Sequence, residues 1–117
     1  MAQARRVEKV NVLLREVIAG ILTRDLFFPD GTLVTVTRVA ASGDLYYATA
    51  FVSVLSGDPA AEGAVLAELK RMTGEIQHAA NRKLRMRPVP RITFAIDENE
   101  KRRERVEQLL SADAENN

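Results

Sequence analysis

The segment 69–97 constrains the fold of this chain most strongly, because it places two consecutive helices directly before a short strand. One helical pattern runs up to Gly74, and a second continues to about Met86. Pro88 and Pro90 then forbid further helix, since proline has no backbone N–H for the helical ladder. Residues 91–96 alternate apolar and polar side chains, which predicts a strand. The segment therefore predicts a helical crossover between two strands of one sheet, expected to be right-handed.

The residues before this segment predict a helix and a β-hairpin. Apolar residues recur at steps of three and four between residues 7 and 22, which predicts one helix of roughly five turns. Residues 33–40 and 45–55 are rich in β-branched and aromatic side chains, as strands are. The short glycine-containing loop at 42–44 favours an antiparallel hairpin between them. The predicted order is thus α-β-β-α-α-β, an α+β fold with the helices packed on one face of a three-stranded sheet.

Local signals predict where several of these elements begin and end. Residues 28–31 read as a turn after the first helix. Asp58 is expected to cap the next helix, with Pro59 at its first position. Residues 101–110 predict a short C-terminal helix, and the small polar residues 111–117 predict a disordered tail. We therefore expect a single domain over residues 1–110, followed by that tail.

Composition excludes several classes of protein. The chain has 117 residues, of which 46% are hydrophobic and 28% charged, which suits one globular domain. It has no cysteine, so a disulfide, a thiolate metal site and a cysteine nucleophile are excluded. The N-terminus lacks an apolar signal core, and no apolar run approaches the ~18 residues that span a bilayer. We expect a cytoplasmic protein that does not associate with membranes.

Positive charge is concentrated in one segment of the chain. Residues 70–91 hold seven cations and one anion, a local net charge of +6, whereas the whole chain carries only +1. The cations are Lys70, Arg71, Arg82, Lys83, Arg85, Arg87 and Arg91. A nearly neutral chain that gathers its positive charge in one helical segment is typical of a protein that binds a polyanion.

Gly74, between the two predicted helices, suggests how a phosphate could approach. Without a Cβ, the chain at this point would let a phosphate backbone come close. The N-terminus of the second helix would offer free N–H groups and the positive end of its dipole to the same phosphate. A helix kink with a solvated basic face would explain the same residues, so the pattern alone leaves both interpretations open.

The remaining polar and aromatic residues do not predict catalysis. His78 is the only histidine and has no partner in register for a metal site or for acid–base chemistry. Carboxylates at 97–100 are interleaved with cations and fit a solvated helix start. No residues combine into a nucleophile, a base and an oxyanion donor. We expect no enzyme, no metal and no cofactor. For most of the strand aromatics, Tyr46, Tyr47, Phe51 and Phe94, we expect core packing.

From about residue 5 to residue 110, the chain resembles bacterial ribosome-binding factor A. The matching pieces are RRVEKVNVLLREVIAGIL, LVTVTRVAASGDLYYATAFVSVL and MTGEIQHAANRKLRMRPVPRITFAID. The resemblance implies a type II KH-like domain whose usual GxxG loop is replaced by an Ala-x-Gly helical kink. It also implies binding to the small ribosomal subunit and 16S rRNA during late maturation, with help in 5′-end processing and in adaptation to cold.

The chain departs from the family pattern at three places. Met72 stands where the family has the alanine of Ala-x-Gly, although Gly74 is kept. Gln77 stands where an arginine is common, which removes one phosphate contact. The turn at 28–31 replaces an Asp-Pro-Arg-like turn and removes another cation. These departures bear on the affinity for rRNA and on the nucleotides contacted.

The charge pattern and the resemblance together give a set of candidate RNA-binding residues. They are Lys70, Arg71, Thr73, Gly74, His78, Arg82, Lys83, Arg85 and Arg87, with Arg5 and Arg6 in the first helix. The expected partners are 16S rRNA and the small ribosomal subunit, with no small-molecule substrate, and the protein is expected to be a monomer. Two alternatives stay open: a KH-like module for single-stranded RNA outside the ribosome, and an adaptor whose basic helix docks an acidic protein.

Overall fold

The computed structural model describes residues 2–26, 28–29 and 31–116 and confirms the predicted α+β fold and element order. Its elements are α1 (Ala2–Asp25), β1 (Leu33–Ala41), β2 (Tyr47–Leu55), α2 (Ala61–Arg71), α3 (Thr73–Lys83), β3 (Arg91–Ile96) and α4 (Glu98–Asn116). Within the described ranges, no helix is both long enough and apolar enough to cross a bilayer.

The three strands form one sheet in the order β1-β2-β3. The hairpin strands β1 and β2 are antiparallel, as the short loop predicted, and Leu33 pairs with Leu55. A bulge lies between Val36 and Arg38 on β1. The last strand pairs parallel to β2, with Ala50 opposite Phe94. A parallel pair needs a crossover connection, and α2 and α3 provide it.

The core lies between the sheet and helices α1, α2 and α3. The apolar stripe of α1 is buried through Leu14 and Ile18, both with no exposed surface. From the sheet, Val52 has no exposed surface and Phe94 has 7%, which confirms that both are core residues. Fully burying a side chain of this size contributes about 1.5–3 kcal/mol to folding. The opposite face of the sheet has no helix among the described residues, and Tyr47 there is 60% exposed.

The core-packing prediction is wrong for the two adjacent tyrosines. Tyr46 is 58% exposed and Tyr47 is 60% exposed. Tyr46 precedes β2, and Tyr47 points to the open face of the sheet, so neither ring reaches the helices. Phe51 is half-buried, with the Arg38 guanidinium stacked 3.8 Å from its ring centre. Of the four aromatics, only Phe94 joins the buried core.

Three predicted element boundaries are corrected by the structure. Strand β2 begins at Tyr47 rather than at residue 45, because Leu45 has a left-handed backbone (φ 62°) and its N–H donates to the Ser42 carbonyl. Helix α2 begins at Ala61, since Asp58 caps a turn in which its side chain accepts from the Ala60 N–H. Helix α3 ends at Lys83 rather than near Met86, and the chain is extended at residue 84 (ψ 140°).

The C-terminal helix is present and longer than the sequence predicted. Asp97 caps α4, because its Oδ1 accepts from the Glu100 N–H at 3.1 Å. The helix continues to Asn116, through most of the segment predicted to be a tail, and residue 117 lies outside the described residues. Lys101 on α4 forms a salt bridge with Glu62 on α2 at 3.1 Å.

Of the turn predicted at residues 28–31, Asp30 lies outside the described residues. Thr32 donates to the Pro29 carbonyl, and Gly31 has the positive φ (82°) for which glycine suits a turn.

Candidate nucleic-acid interface

The kink between α2 and α3 is at Met72. This residue is both the C-cap of α2 and the N-cap of α3, and its backbone (φ −91°, ψ 3°) is not regular helix. Its N–H is still held by the carbonyls of Glu68 and Lys70. Met72 has no side-chain oxygen and makes no side-chain cap, so the first-turn N–H groups of α3 keep their partial positive charge.

Gly74 is the second residue of α3 and faces open space. A Cβ built on it would meet no described atom within 4 Å, and its φ is not in the left-handed region. The backbone at this glycine is therefore ordinary helix, which any residue could adopt. What it offers is a bare surface over the first turn of α3, where an anion could approach the backbone.

Thr73 contributes to the kink rather than to a free hydroxyl surface. Its Oγ1 donates to the Leu69 carbonyl at 2.9 Å, one of the last carbonyls of α2. That carbonyl lies at a helix end, where helical partners run out. The hydroxyl therefore helps to fix the angle at which α3 leaves α2.

A groove at this kink brings together three of the candidate residues. It lies between the C-terminal end of α1 and the length of α3, and Gly74, His78 and Arg82 line it. Asp25 and Glu75 line the same groove. The charge there is therefore mixed, which weakens the attraction for a phosphate. We call this groove the kink groove.

A second concave site brings Arg6 and Arg87 together. It is an open cavity of about 540 Å³ between the start of α1, the hairpin loop and the turn after α3. Its lining residues are Gln3, Arg6, Gly43, Asp44, Leu45, Tyr46, Met86, Arg87 and Pro88. We call it the hairpin cavity. Arg87 is fixed at its wall, because Nη1 donates to the carbonyls of Leu84 (2.9 Å) and Met86 (2.7 Å).

The remaining candidate cations lie outside both sites. Arg71 is paired with Glu68 at 2.6 Å, and this hydrogen bond lowers the pKa of the glutamate. The positive charge of Arg71 is therefore already partly neutralised before any ligand binds. Lys70, Lys83 and Arg85 are exposed.

Arg5 is separated from Arg6 although the two are adjacent in the chain. It lines a shallow surface on α1 together with the exposed apolar side chains of Val12 and Leu13. Arg6 lines the hairpin cavity instead. Successive residues of a helix point in different directions, so a pair of adjacent cations does not make one site.

Gln77 has a structural role that its sequence position did not reveal. Its Oε1 accepts from the Ile92 N–H at 2.8 Å, and its Nε2 donates to the Pro90 carbonyl at 3.0 Å. The side-chain amide therefore pairs with β3 as another strand would. It also holds the turn of residues 84–90, which we call the basic turn, against α3. The sequence interpretation considered only a missing arginine at this position. It overlooked the pairing because a glutamine carries no signal for its distant backbone partners.

Asp97 is the buried carboxylate of the described residues, with 5% of its surface exposed. Its Oδ2 accepts from the Thr37 hydroxyl at 2.5 Å and lies 3.6 Å from Arg38. The Thr37 hydrogen bond outweighs burial and lowers the pKa of Asp97, so the group is ionised at neutral pH. It joins α4 to the bulge of β1 and does not face either candidate site. Within the described ranges, no three His, Cys, Asp or Glu side chains could hold a metal ion together.

Comparison with known proteins decides the family. A sequence model described as Ribosome-binding factor A matches residues 6–110. The chain belongs to the ribosome-binding factor A family. Ribosome-binding factor A of Protochlamydia amoebophila is 38% identical over 107 residues, which cover 91% of this chain and 81% of that protein. The Chlamydia trachomatis serovar D protein of the same name is 34% identical over 117 residues, covering 98% and 94%.

Solved structures of ribosome-binding factor A share the fold described above. The crystal structure from Thermus thermophilus aligns with a TM-score of 0.65 and 28% identity, over 77% of this chain and 93% of that one. A homology model of the Thermus thermophilus factor, fitted into a cryo-EM map of a 30S complex, aligns with a TM-score of 0.62 and 26% identity, covering 73% and 88%. The resemblance found in the sequence is confirmed.

Proposed function

We propose that this chain is an assembly factor that binds the small (30S) ribosomal subunit and its 16S rRNA during late maturation. In this role it assists processing of the 16S rRNA 5′ end and supports growth in the cold. It acts in the cytoplasm as a monomer, by binding alone, with no cofactor. Two findings carry the proposal. The chain belongs to the ribosome-binding factor A family, and a model of the Thermus thermophilus factor, which shares its fold, was fitted into the map of a 30S complex.

The distribution of charge supports RNA as the direct ligand. Arg82, Lys83, Arg85 and Arg87 are all exposed, on the last turn of α3 and the residues after it. Cations that approach phosphates release condensed counterions, and the affinity then depends steeply on salt. The uncapped N-terminus of α3 beside Gly74 adds a second place where a phosphate could bind.

Sedimentation tests the proposal directly. The full chain should co-sediment with small subunits and much less with 70S particles. A variant with Arg82, Lys83, Arg85 and Arg87 changed to Gln should bind subunits more weakly and with a flatter dependence of log K on log salt. Its melting temperature should stay close to that of the wild type, because these side chains are exposed.

Other profiles would contradict the proposal. A chain that binds free single-stranded RNA tightly but does not sediment with subunits would be a KH-like RNA module outside the ribosome. A chain that binds RNA weakly and captures an acidic protein would be an adaptor. An unchanged salt slope in the fourfold variant would remove the basic segment from the RNA interface.

A further inference from the structure

The hairpin cavity combines the chemical groups that a single nucleotide requires. Two arginines, an exposed tyrosine ring and a carboxylate line one concave site of about 540 Å³. Arginine suits phosphate, aromatic rings stack on bases, and carboxylates accept from base N–H groups. Met86 and Pro88 supply apolar surface to the same cavity.

The walls of this cavity are held in place by hydrogen bonds. Gln3 on α1 donates from Nε2 to the Gly43 carbonyl at 2.8 Å, which ties the start of the helix to the hairpin loop. The Arg91 N–H donates to the Tyr46 carbonyl at 2.8 Å, which ties β3 to the other side of that loop. Arg87 is held by its two backbone carbonyls. A site whose groups are already in place loses less entropy when a ligand binds.

Asp44 lines the cavity with its carboxylate in a defined state. Its Oδ1 accepts from the Ser42 hydroxyl at 2.6 Å and from the Tyr46 N–H at 3.1 Å. These bonds, that of Ser42 above all, lower the pKa of Asp44, so the side chain is an acceptor and not a donor at neutral pH. Both bonds are made by Oδ1, and Oδ2 is the oxygen that a ligand would meet.

We propose that the hairpin cavity holds one unstacked nucleotide of single-stranded RNA. Its base stacks on the Tyr46 ring, its phosphate lies between Arg6 and Arg87, and a base N–H donates to the Asp44 carboxylate. The inference rests on the proposed function, because it names one place where this chain reads rRNA. It adds a choice of base, which phosphate contacts alone cannot make.

The carboxylate selects guanine over uracil. Guanine presents two adjacent donors on its pairing edge, the N1–H and the N2 amino group. Uracil presents one N–H between two carbonyl oxygens, and these would face the negative charge of Asp44. Because a carboxylate only accepts hydrogen bonds, the guanine edge fits it and the uracil edge is repelled.

Two pentaribonucleotides that differ in one base test the proposal on the full chain. Fluorescein-labelled UUGUU and UUUUU would be titrated at low salt and followed by fluorescence anisotropy. The wild type should bind UUGUU about fivefold or more tightly than UUUUU, since one specific base contact is worth at least that factor. Backbone NMR shifts on binding should map to residues 3–6, 43–46 and 86–88. Equal affinities, or shifts confined to the kink groove, would overturn the proposal.

The neighbouring tyrosine provides a matched control. Tyr46→Ala should weaken UUGUU binding about tenfold or more, as loss of a stacking ring does. Tyr47→Ala should leave it within twofold, because Tyr47 is equally exposed but lies outside the cavity. Melting temperatures of both variants would show that they are folded. An equal loss in the two variants would contradict the assignment.

Asp44→Asn tests the choice of base separately from the affinity. The asparagine keeps Oδ1 for the turn and places an amino group where Oδ2 was, so it should donate to a uracil carbonyl. The preference should therefore fall away or reverse towards UUUUU, and an unchanged preference would refute the role of Asp44.

Sedimentation with small subunits distinguishes the cavity proposal from the proposed ribosomal function. A wild type that sediments but does not distinguish the pentamers refutes the cavity proposal alone, whereas one that distinguishes them but does not sediment refutes the ribosomal function.

Discussion

The two ends of α3 differ in charge and in how they are held. At the N-terminal end, the kink groove carries Asp25 and Glu75, and Arg82 reaches it from the last turn of the helix. At the C-terminal end, the chain enters the basic turn, which Gln77 holds against α3 where the turn meets β3. The glycine that marks the family motif lies at the first end, whereas the less neutralised positive charge lies at the second.

This difference shows that a net charge counted along a segment does not locate an interface. The count of +6 over residues 70–91 treats all cations alike. In the fold, Arg71 is occupied by Glu68, whereas Arg87 lines a cavity that Arg6 also lines. We therefore assign most of the affinity for rRNA phosphate to the C-terminal end of α3 and the turn after it.

The largest loss of unfolding free energy is expected from a change in β3, the strand that supports both ends of α3. Phe94→Ala should cost about 3–5 kcal/mol of unfolding free energy, since it removes a buried ring from the core. Urea denaturation measures it. Binding to small subunits, counted per folded molecule, should remain equal to that of the wild type. A midpoint close to that of the wild type would mean that β3 does not support this core.

The next largest loss of stability is expected from a change at Gln77, and it should be confined to the basic turn. Gln77→Ala leaves the N–H of the fully buried Ile92 without its acceptor, which should cost about 1–3 kcal/mol. It should also loosen the turn and weaken subunit binding. Asn81→Ala is the control, because exposed Asn81 bonds the same glutamine but not β3. If both variants lose equal stability, the strand-like pairing of Gln77 is not what holds the turn.

A change remote from both ends should alter stability without altering recognition. The pKa of Asp97 is lowered by the Thr37 hydroxyl, so the unfolded chain takes up the proton more readily. Asp97 therefore stabilises the fold above about pH 4, and this contribution is lost as the pH falls further. Asp97→Asn should be about 1.5 kcal/mol less stable at pH 7, with a shallower loss of melting temperature between about pH 5 and pH 2.5. Parallel pH curves for the two proteins would contradict this role.

The smallest stability effect is expected at the kink. Gly74→Ala should stabilise the fold by up to about 1 kcal/mol, because the position is helical and has room for a Cβ. It should reduce subunit binding less than loss of the cations in the turn does. Gly74→Val adds bulk at the same place and should reduce binding further. A Gly74→Ala variant that is more stable and binds subunits as well as the wild type would show that the kink does not contact rRNA.

Much of the fold could be predicted from the sequence, because periodicity and punctuation are local signals. The six residues of β3, between Pro90 and Asp97, were predicted with their observed bounds. The site was harder to predict, because its parts come from distant segments. Arg6 and Arg87 share a cavity, and Gln77 bonds β3, only after α1, α3 and the hairpin have packed. The left-handed backbone of Leu45, directly before the exposed Tyr46, was likewise not indicated by the sequence pattern.

The most direct test compares two matched double variants in subunit binding at several salt concentrations. Arg6→Gln with Arg87→Gln removes two cations from the hairpin cavity, and Lys70→Gln with Arg71→Gln removes two from α2, next to the kink. We expect the first pair to make the slope of log K against log salt less steep by about 1–2, roughly one for each phosphate that is no longer neutralised. The second pair should leave the slope nearly unchanged. Equal slopes for the two variants, or a larger decrease in the α2 pair, would contradict the claim that the hairpin cavity, at the turn after α3, holds a phosphate of rRNA.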